Sequence, residues 1–307
     1  MSMRLSFMKS FARAFLFVCL ALVCISLPAT AQGRIDCSRI DSHLLHQAIR
    51  YCVMLPASYE TEKTQKYPVL YFLHGLGQNE QALMEGGGWG MIQDMRQRHE
   101  IGDFLVVAVE GQAGFFINSA DGKFPYSDFF IKEFMPFVES HYRIKRARAF
   151  RGVTGLSMGG YGALRFAFAY PDLFSSVSAQ SPALITQAPK ELNRDLNTGG
   201  PIARLLGRVF GNPINLAHWE ANNPFVLARK NRIQLKHQSI YFNCGQEDEY
   251  GFADGAQELH KQLVAEGVPH EFHLYPGGHD ADYFLSHLGE TLQFHWRAFS
   301  SAGKPVR

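Results

Sequence analysis

The tightest constraint on this chain is Gly155-Leu156-Ser157-Met158-Gly159, set between a β-rich segment at 150–154 and a helical one at 160–170. A chain that passes from strand to helix in so few residues must double back sharply. The residues two before and two after the apex then have to be small. Gly155 and Gly159 meet that demand, and Gly160 and Gly162 extend it. Such a turn lifts the apex side chain above the end of a sheet and aims the start of the helix at it. A hydroxyl is a weak nucleophile that must be exposed, aligned and handed to a base. The turn therefore makes Ser157 the candidate nucleophile. The backbone amide of Met158, at the helix start, becomes a candidate donor to negative charge developing on a substrate oxygen.

The surrounding pattern fits this turn. β-rich segments at 34–40, 48–55, 68–73, 104–109, 150–154, 175–179, 239–244 and 271–275 are interleaved with helical periodicity at 126–142, 160–170, 255–266 and 281–299. Continuous apolar runs such as Pro68-Val-Leu-Tyr-Phe-Leu73 read as strands buried on both faces. The alternation predicts a mostly parallel central sheet with helices on both faces; together with the turn at Ser157 the expectation is an α/β-hydrolase fold with no large separate cap domain. Between 184 and 234 the periodicity weakens and Gly, Pro and Asn accumulate, which reads as an insertion shaping the mouth of the site. The aromatic stripe Phe129, Phe130, Phe134 and Phe137 has the spacing of core packing.

The N-terminus reads as a signal peptide over residues 1–31. Arg4, Lys9 and Arg13 precede an apolar run of 14 residues from Ala14 to Leu27, then Pro28 and the small residues Ala29-Thr30-Ala31. That run is shorter than the roughly 20 residues needed to span a bilayer. Val18 and Val23 stand before Cys19 and Cys24, where a lipid-attachment site has a small residue. The expected mature chain is a single domain over 32–307, secreted or periplasmic, with no stable membrane insertion. The whole chain carries a formal charge of +2, and three of its basic residues lie in the leader. A near-neutral remainder gives no electrostatic reason to expect a nucleic-acid partner. In an oxidising compartment Cys37 and Cys52, on two consecutive strand-like segments, are expected to form a disulfide, leaving Cys244 as a core thiol.

A serine nucleophile needs partners, and chain order selects them. The second amide donor to the oxyanion belongs in the loop after an early strand, where His74-Gly75-Leu76-Gly77 stands, and the amide of Leu76 is the candidate. The general base belongs after the last strand. Of 13 histidines, His279 follows strand, Gly277-Gly278 loop and precedes a helix. The acid that orients the imidazole belongs after the penultimate strand, in Glu247-Asp248-Glu249. The Gly245-x-x-Asp248 spacing selects Asp248, with Glu247 as runner-up. The order Ser157, Asp248, His279 is that of α/β hydrolases, not of chymotrypsin or subtilisin. No metal or organic cofactor is called for. The aromatic residues Trp89, Phe115, Phe116 and Trp219 are candidates for lining the substrate site.

Several stretches resemble the esterase D family of S-formylglutathione hydrolases, feruloyl esterases and mycolyltransferases. They are Tyr67-Pro-Val-Leu-Tyr-Phe-Leu-His-Gly75, Phe130-Ile-Lys-Glu-Phe-Met-Pro-Phe137 with Tyr142-Arg143, Gly155-Leu-Ser-Met-Gly-Gly-Tyr-Gly-Ala-Leu164, Gly245-x-x-Asp248 and Pro276-Gly-Gly-His-Asp280. The resemblance implies the same triad and the same oxyanion donors. This chain departs from it just after His279-Asp280, where Ala281 and Asp282 precede Tyr283 in place of an immediate aromatic residue. The expectation is a serine carboxylesterase acting on small-molecule or polysaccharide-linked esters, with feruloyl or acetyl groups as candidates. The rival readings are an acyltransferase that delivers the acyl group to a sugar hydroxyl, and a non-catalytic binding protein of the same fold. Oligomeric state is not written in the sequence.

Overall fold

The computed structural model describes residues 33–196 and 199–302; the expected leader lies outside them. Among the described residues, eight strands, numbered β1 to β8 in chain order, form one sheet in the order β1-β2-β4-β3-β5-β6-β7-β8. β1 (Arg34–Ser42), β2 (Gln47–Leu55) and β4 (Leu105–Val109) pair antiparallel. β3 (Val69–Leu73), β5 (Arg151–Leu156), β6 (Ser176–Gln180), β7 (Ser239–Gly245) and β8 (Glu271–Tyr275) continue from β4 with every pair parallel. The apolar runs explain the layering. In β3 the alternating residues Val69, Tyr71 and Leu73 enter one core, while Leu70 and Phe72 enter the other. A strand apolar on both sides must be covered on both sides.

The helix Gly88–Gln97 and the helix Leu288–Ser301 cover one face with Ile92, Met95, Leu288, Leu292 and Phe299. The helix Met158–Ala169 and the aromatic cluster Phe129, Phe130 and Phe134 cover the other. Phe130 stacks on Phe166 at 4.5 Å between ring centres. All the parallel strands then end at one edge, and the loops after β3, β5, β7 and β8 meet there. This is the edge where open α/β sheets bind ligands.

Cys37 and Cys52 face one another directly across β1 and β2 and are joined by a disulfide; Cys244 is free and buried. Among the described residues no helix is long and apolar enough to cross a membrane.

The structure departs from the sequence expectation in three elements. The weakly periodic stretch 184–234 is mostly helical: Pro189–Leu196, Pro201–Phe210, Leu216–Asn222 and Pro224–Lys230. Several of its Pro and Asn residues start helices and do not break them. Pro201 and Pro224 occupy first-turn positions, while the Asn215 and Asn223 side chains accept from the amides of His218 and Phe225. The helix Gly88–Gln97 gives little sign of itself in the sequence, because Gly88 and Gly90 in its first turn lower its intrinsic propensity. The expected helix over 281–299 breaks at His287 into Ala281–Ser286 and Leu288–Ser301.

Candidate active site

β5 delivers Ser157 to the strand edge. There the backbone turns through φ 54° and ψ −118°, a left-handed conformation that a residue with a side chain adopts only under strain. The turn closes because Gly155 and Gly159 have no side chains. A Cβ on Gly159 would lie 1.9 Å from the Leu73 carbonyl oxygen, and one on Gly155 would lie 2.3 Å from the Gly159 backbone. The same close approach presses the end of β3, with His74 and Gly75, against Leu156 and the first turn of the following helix.

His279 lies in the loop between β8 and the helix Ala281–Ser286, and its Nε2 stands 2.9 Å from Ser157 Oγ. Its Nδ1 stands 2.8 Å from Asp248 Oδ2. A carboxylate can only accept, so Nδ1 carries the proton and Nε2 is left to accept from the serine hydroxyl. Asp248 Oδ1 accepts from the amides of Tyr250 at 3.0 Å and Phe252 at 3.4 Å. Burial alone would favour the neutral carboxyl of Asp248. The His279 hydrogen bond and charge, with those two amides, outweigh it and hold the pKa below the ordinary carboxylate value. The buried Cys244 thiol also approaches Asp248 Oδ2, at 3.6 Å, and burial pushes its own pKa up to about 12. It stays a thiol and so serves as a weak donor to the acid.

The outer two acids of the run do different work. Glu247 Oε2 accepts from the Gly277 amide at 2.6 Å, and Glu249 Oε2 accepts from the His279 amide at 3.0 Å. Glu247, the runner-up for the acid, therefore holds the loop and not the ring. All three carboxylates of Glu247-Asp248-Glu249 grip the His279 loop at different atoms. In the sequence such a run looks like any solvated acidic turn, which hides the role of Glu249. The signal that could have found it is proximity in chain order: two acid-bearing and base-bearing loops at the ends of adjacent parallel strands.

The amide of Leu76 and the amide of Met158 both lack an acceptor among the described residues. Leu76 itself is 45% exposed. The walls differ from the sequence expectation. Phe115, Phe116 and Trp219 are buried in the core, and Trp89 packs against the opposite face of the sheet. Around the His279 ring stand instead Tyr250 at 4.9 Å, Phe284 at 5.1 Å and Phe252 at 5.3 Å between ring centres. Tyr250 is 64% exposed beside the imidazole, while Tyr283 is buried and donates to Asn243 Oδ1 at 3.0 Å.

Comparison with known proteins follows the same line. A family model described as putative esterase matches residues 42–295. An esterase of Mycobacterium tuberculosis is 31% identical over 247 residues, covering 74% of this chain and 51% of its own length. This chain thus spans about half the length of that relative. The acetyl esterase of Caldicellulosiruptor saccharolyticus is 25% identical over 259 residues, covering 82% of this chain and 94% of its own. Among solved structures, a ferulic acid esterase superposes with a TM-score of 0.74 at 25% identity, covering 87% of this chain and 99% of its own. The S-formylglutathione hydrolase of Staphylococcus aureus, at 20% identity and a TM-score of 0.69, shares the fold over 86% of this chain and 99% of its own. The chain belongs to the putative-esterase family, the esterase D-like group of α/β hydrolases.

Proposed function

We propose that this protein is a secreted serine carboxylesterase that cleaves carboxylic esters through an acyl-enzyme. The observation that carries the reading is the unbroken relay Asp248 Oδ2, His279, Ser157 Oγ, with contacts of 2.8 and 2.9 Å. His279 Nε2 takes the Ser157 proton as Oγ bonds to the acyl carbon. The negative charge on the carbonyl oxygen is met by the amides of Leu76 and Met158. The C–O bond to the alcohol then breaks, and the alcohol leaves with the proton from His279. Water, deprotonated by the same imidazole, attacks the acyl carbon, and the acid departs as Ser157 regains its proton. Asp248 stabilises the imidazolium formed in each half. Every step uses side chains, backbone amides and water.

Acetyl and feruloyl esters are the proposed substrates, supported by the acetyl esterase relative and the ferulic acid esterase neighbour. Secretion as a single domain over 32–307 rests on the reading of the leader. It is consistent with the Cys37–Cys52 disulfide, a bond suited to an oxidising compartment. The test is a substrate panel, nitrophenyl acetate and methyl ferulate, run with mature protein and its Ser157→Ala variant. Wild-type turnover of either ester should fall by roughly a million-fold in the variant. Turnover that survives the substitution contradicts the reading.

A further inference from the structure

The mechanism asks the Leu76 amide to face the developing oxyanion, yet Leu76 sits in an exposed loop. A peptide plane in a loop can turn over, which would present the Gly75 carbonyl in place of the Leu76 N–H and repel the charge it should bind. Something has to hold the plane. His74 is buried, 1% exposed, and both its ring nitrogens are engaged with backbone. The Gly111 amide, in the loop after β4, lies 2.8 Å from His74 Nε2. An amide can only donate, so Nε2 accepts and carries no proton. The proton therefore resides on Nδ1, which stands 2.8 Å from the Gly75 carbonyl oxygen and donates to it. In a trans peptide the N–H points opposite to the C=O. A hydrogen bond that fixes the Gly75 carbonyl thus fixes the direction of the Leu76 amide.

Gln78 supports the same residue from the other side: its amide reaches the Gly75 carbonyl at 3.2 Å and its Oε1 accepts from the Gly75 amide at 2.9 Å. His74 differs in being anchored outside the loop, on Gly111. It ties the loop after β3 to the loop after β4. Phe116, edge-on to the imidazole at 5.4 Å, and the Glu110 carboxylate, 3.7 Å from Nε2, complete its surroundings. We infer that His74 is a positioning residue: it selects the peptide orientation that turns the Leu76 amide into an oxyanion donor. The inference rests on the proposed acyl-enzyme reading, because without an oxyanion the orientation has no consequence.

The two ring nitrogens can be tested separately. Asn places a donor at the position of Nδ1, and Gln places its amide group at the reach of Nε2. His74→Asn should keep the Gly75 clamp and lose the Gly111 anchor; His74→Gln should do the reverse. With nitrophenyl acetate, the Gln variant is expected to lose ten- to a hundred-fold in kcat with KM within about twofold. The Asn variant should stay within about threefold of wild type. A folded Gln variant with wild-type kcat, equal losses in both variants, or a loss confined to KM overturns the inference. Should the Gln variant fail to fold, the Asn variant decides alone, since a loss beyond tenfold there also overturns it. Ser157→Ala, run in parallel, separates the two failures. If it abolishes turnover while His74→Gln leaves kcat intact, the acyl-enzyme reading stands and the clamp is wrong. If it leaves turnover intact, both are wrong.

Discussion

Ser157 holds its left-handed backbone because the residues around it leave no other path, and its hydroxyl is thereby fixed on His279. His279 in turn is held from two sides, by Asp248 at the ring and by Glu249 at its own amide. The second hold is the more informative, because a simple solvated acid would do nothing for turnover. Glu249→Ala frees the His279 amide, and kcat should fall about tenfold, the equivalent of one hydrogen bond. Glu249→Gln, whose side-chain oxygen can accept the same bond, should restore most of it. Steady-state assay of both variants, with exchange of the His279 amide followed by NMR, checks this; equal activity in Glu249→Ala and wild type would refute it. At this scale the sequence was informative wherever the demand was local. Ser157 stood out because strand, turn and helix follow one another within the chain. His279 and Asp248 were selected by their place after consecutive strands. The duties of Glu247 and Glu249 were hidden, because each depends on which atom of a loop about 30 residues away it meets.

Among the elements, the helix Leu288–Ser301 does more than cover the sheet. His295 projects from it between two β6 serines, with Nδ1 2.8 Å from Ser176 Oγ and Nε2 2.8 Å from Ser178 Oγ. Ser178 continues to Thr154 Oγ1 at 2.7 Å, on the strand that carries the Ser157 turn. Burial pushes the imidazole down to about 3. The unfolded chain protonates this histidine near the ordinary 6.5, while the folded chain keeps it neutral to about pH 3. Between those values the unfolded state binds more protons. The contribution is therefore fully present above pH 6.5 and is lost as pH falls toward 3, by up to about 1.4 kcal/mol per unit. Urea unfolding at pH 6.5 and pH 5.0 should show wild type losing about 2 kcal/mol more than His295→Gln over that interval; parallel losses would count against the account. The period of the helix was readable from the sequence. A buried polar bridge to β6 was not, because one histidine on an apolar face looks the same whether it meets serines or solvent. The helices of 189–230 were missed for a related reason: Pro and Asn stop one helix and start the next with the same letters.

Across the molecule, the site lies at the parallel end of a sheet whose other flank is closed by the antiparallel hairpin β1–β2. The Cys37–Cys52 bond pins that edge across a sequence separation of 15, and loop-closure entropy gives it a contribution on the order of 3 kcal/mol. The double variant Cys37→Ser, Cys52→Ser should unfold at lower urea by an amount of that order. Its kcat should remain unchanged, because β1 is separated from β5 by three strands of the sheet. A large loss of kcat in the folded variant would contradict this separation of stability from chemistry. The alternation of strands and helices made the architecture readable from the chain alone, since both faces of each apolar strand demand cover. Which aromatic residues stand beside the His279 ring was not readable, because nothing local in the chain separates Phe115 and Trp219, which are buried, from the exposed Tyr250. The most direct test of the central claim is mass spectrometry of the intact mature protein after treatment with a fluorophosphonate. One adduct per chain, mapped to the peptide bearing Ser157 and absent from Ser157→Ala, is the predicted result; no adduct, or one on another residue, would contradict it.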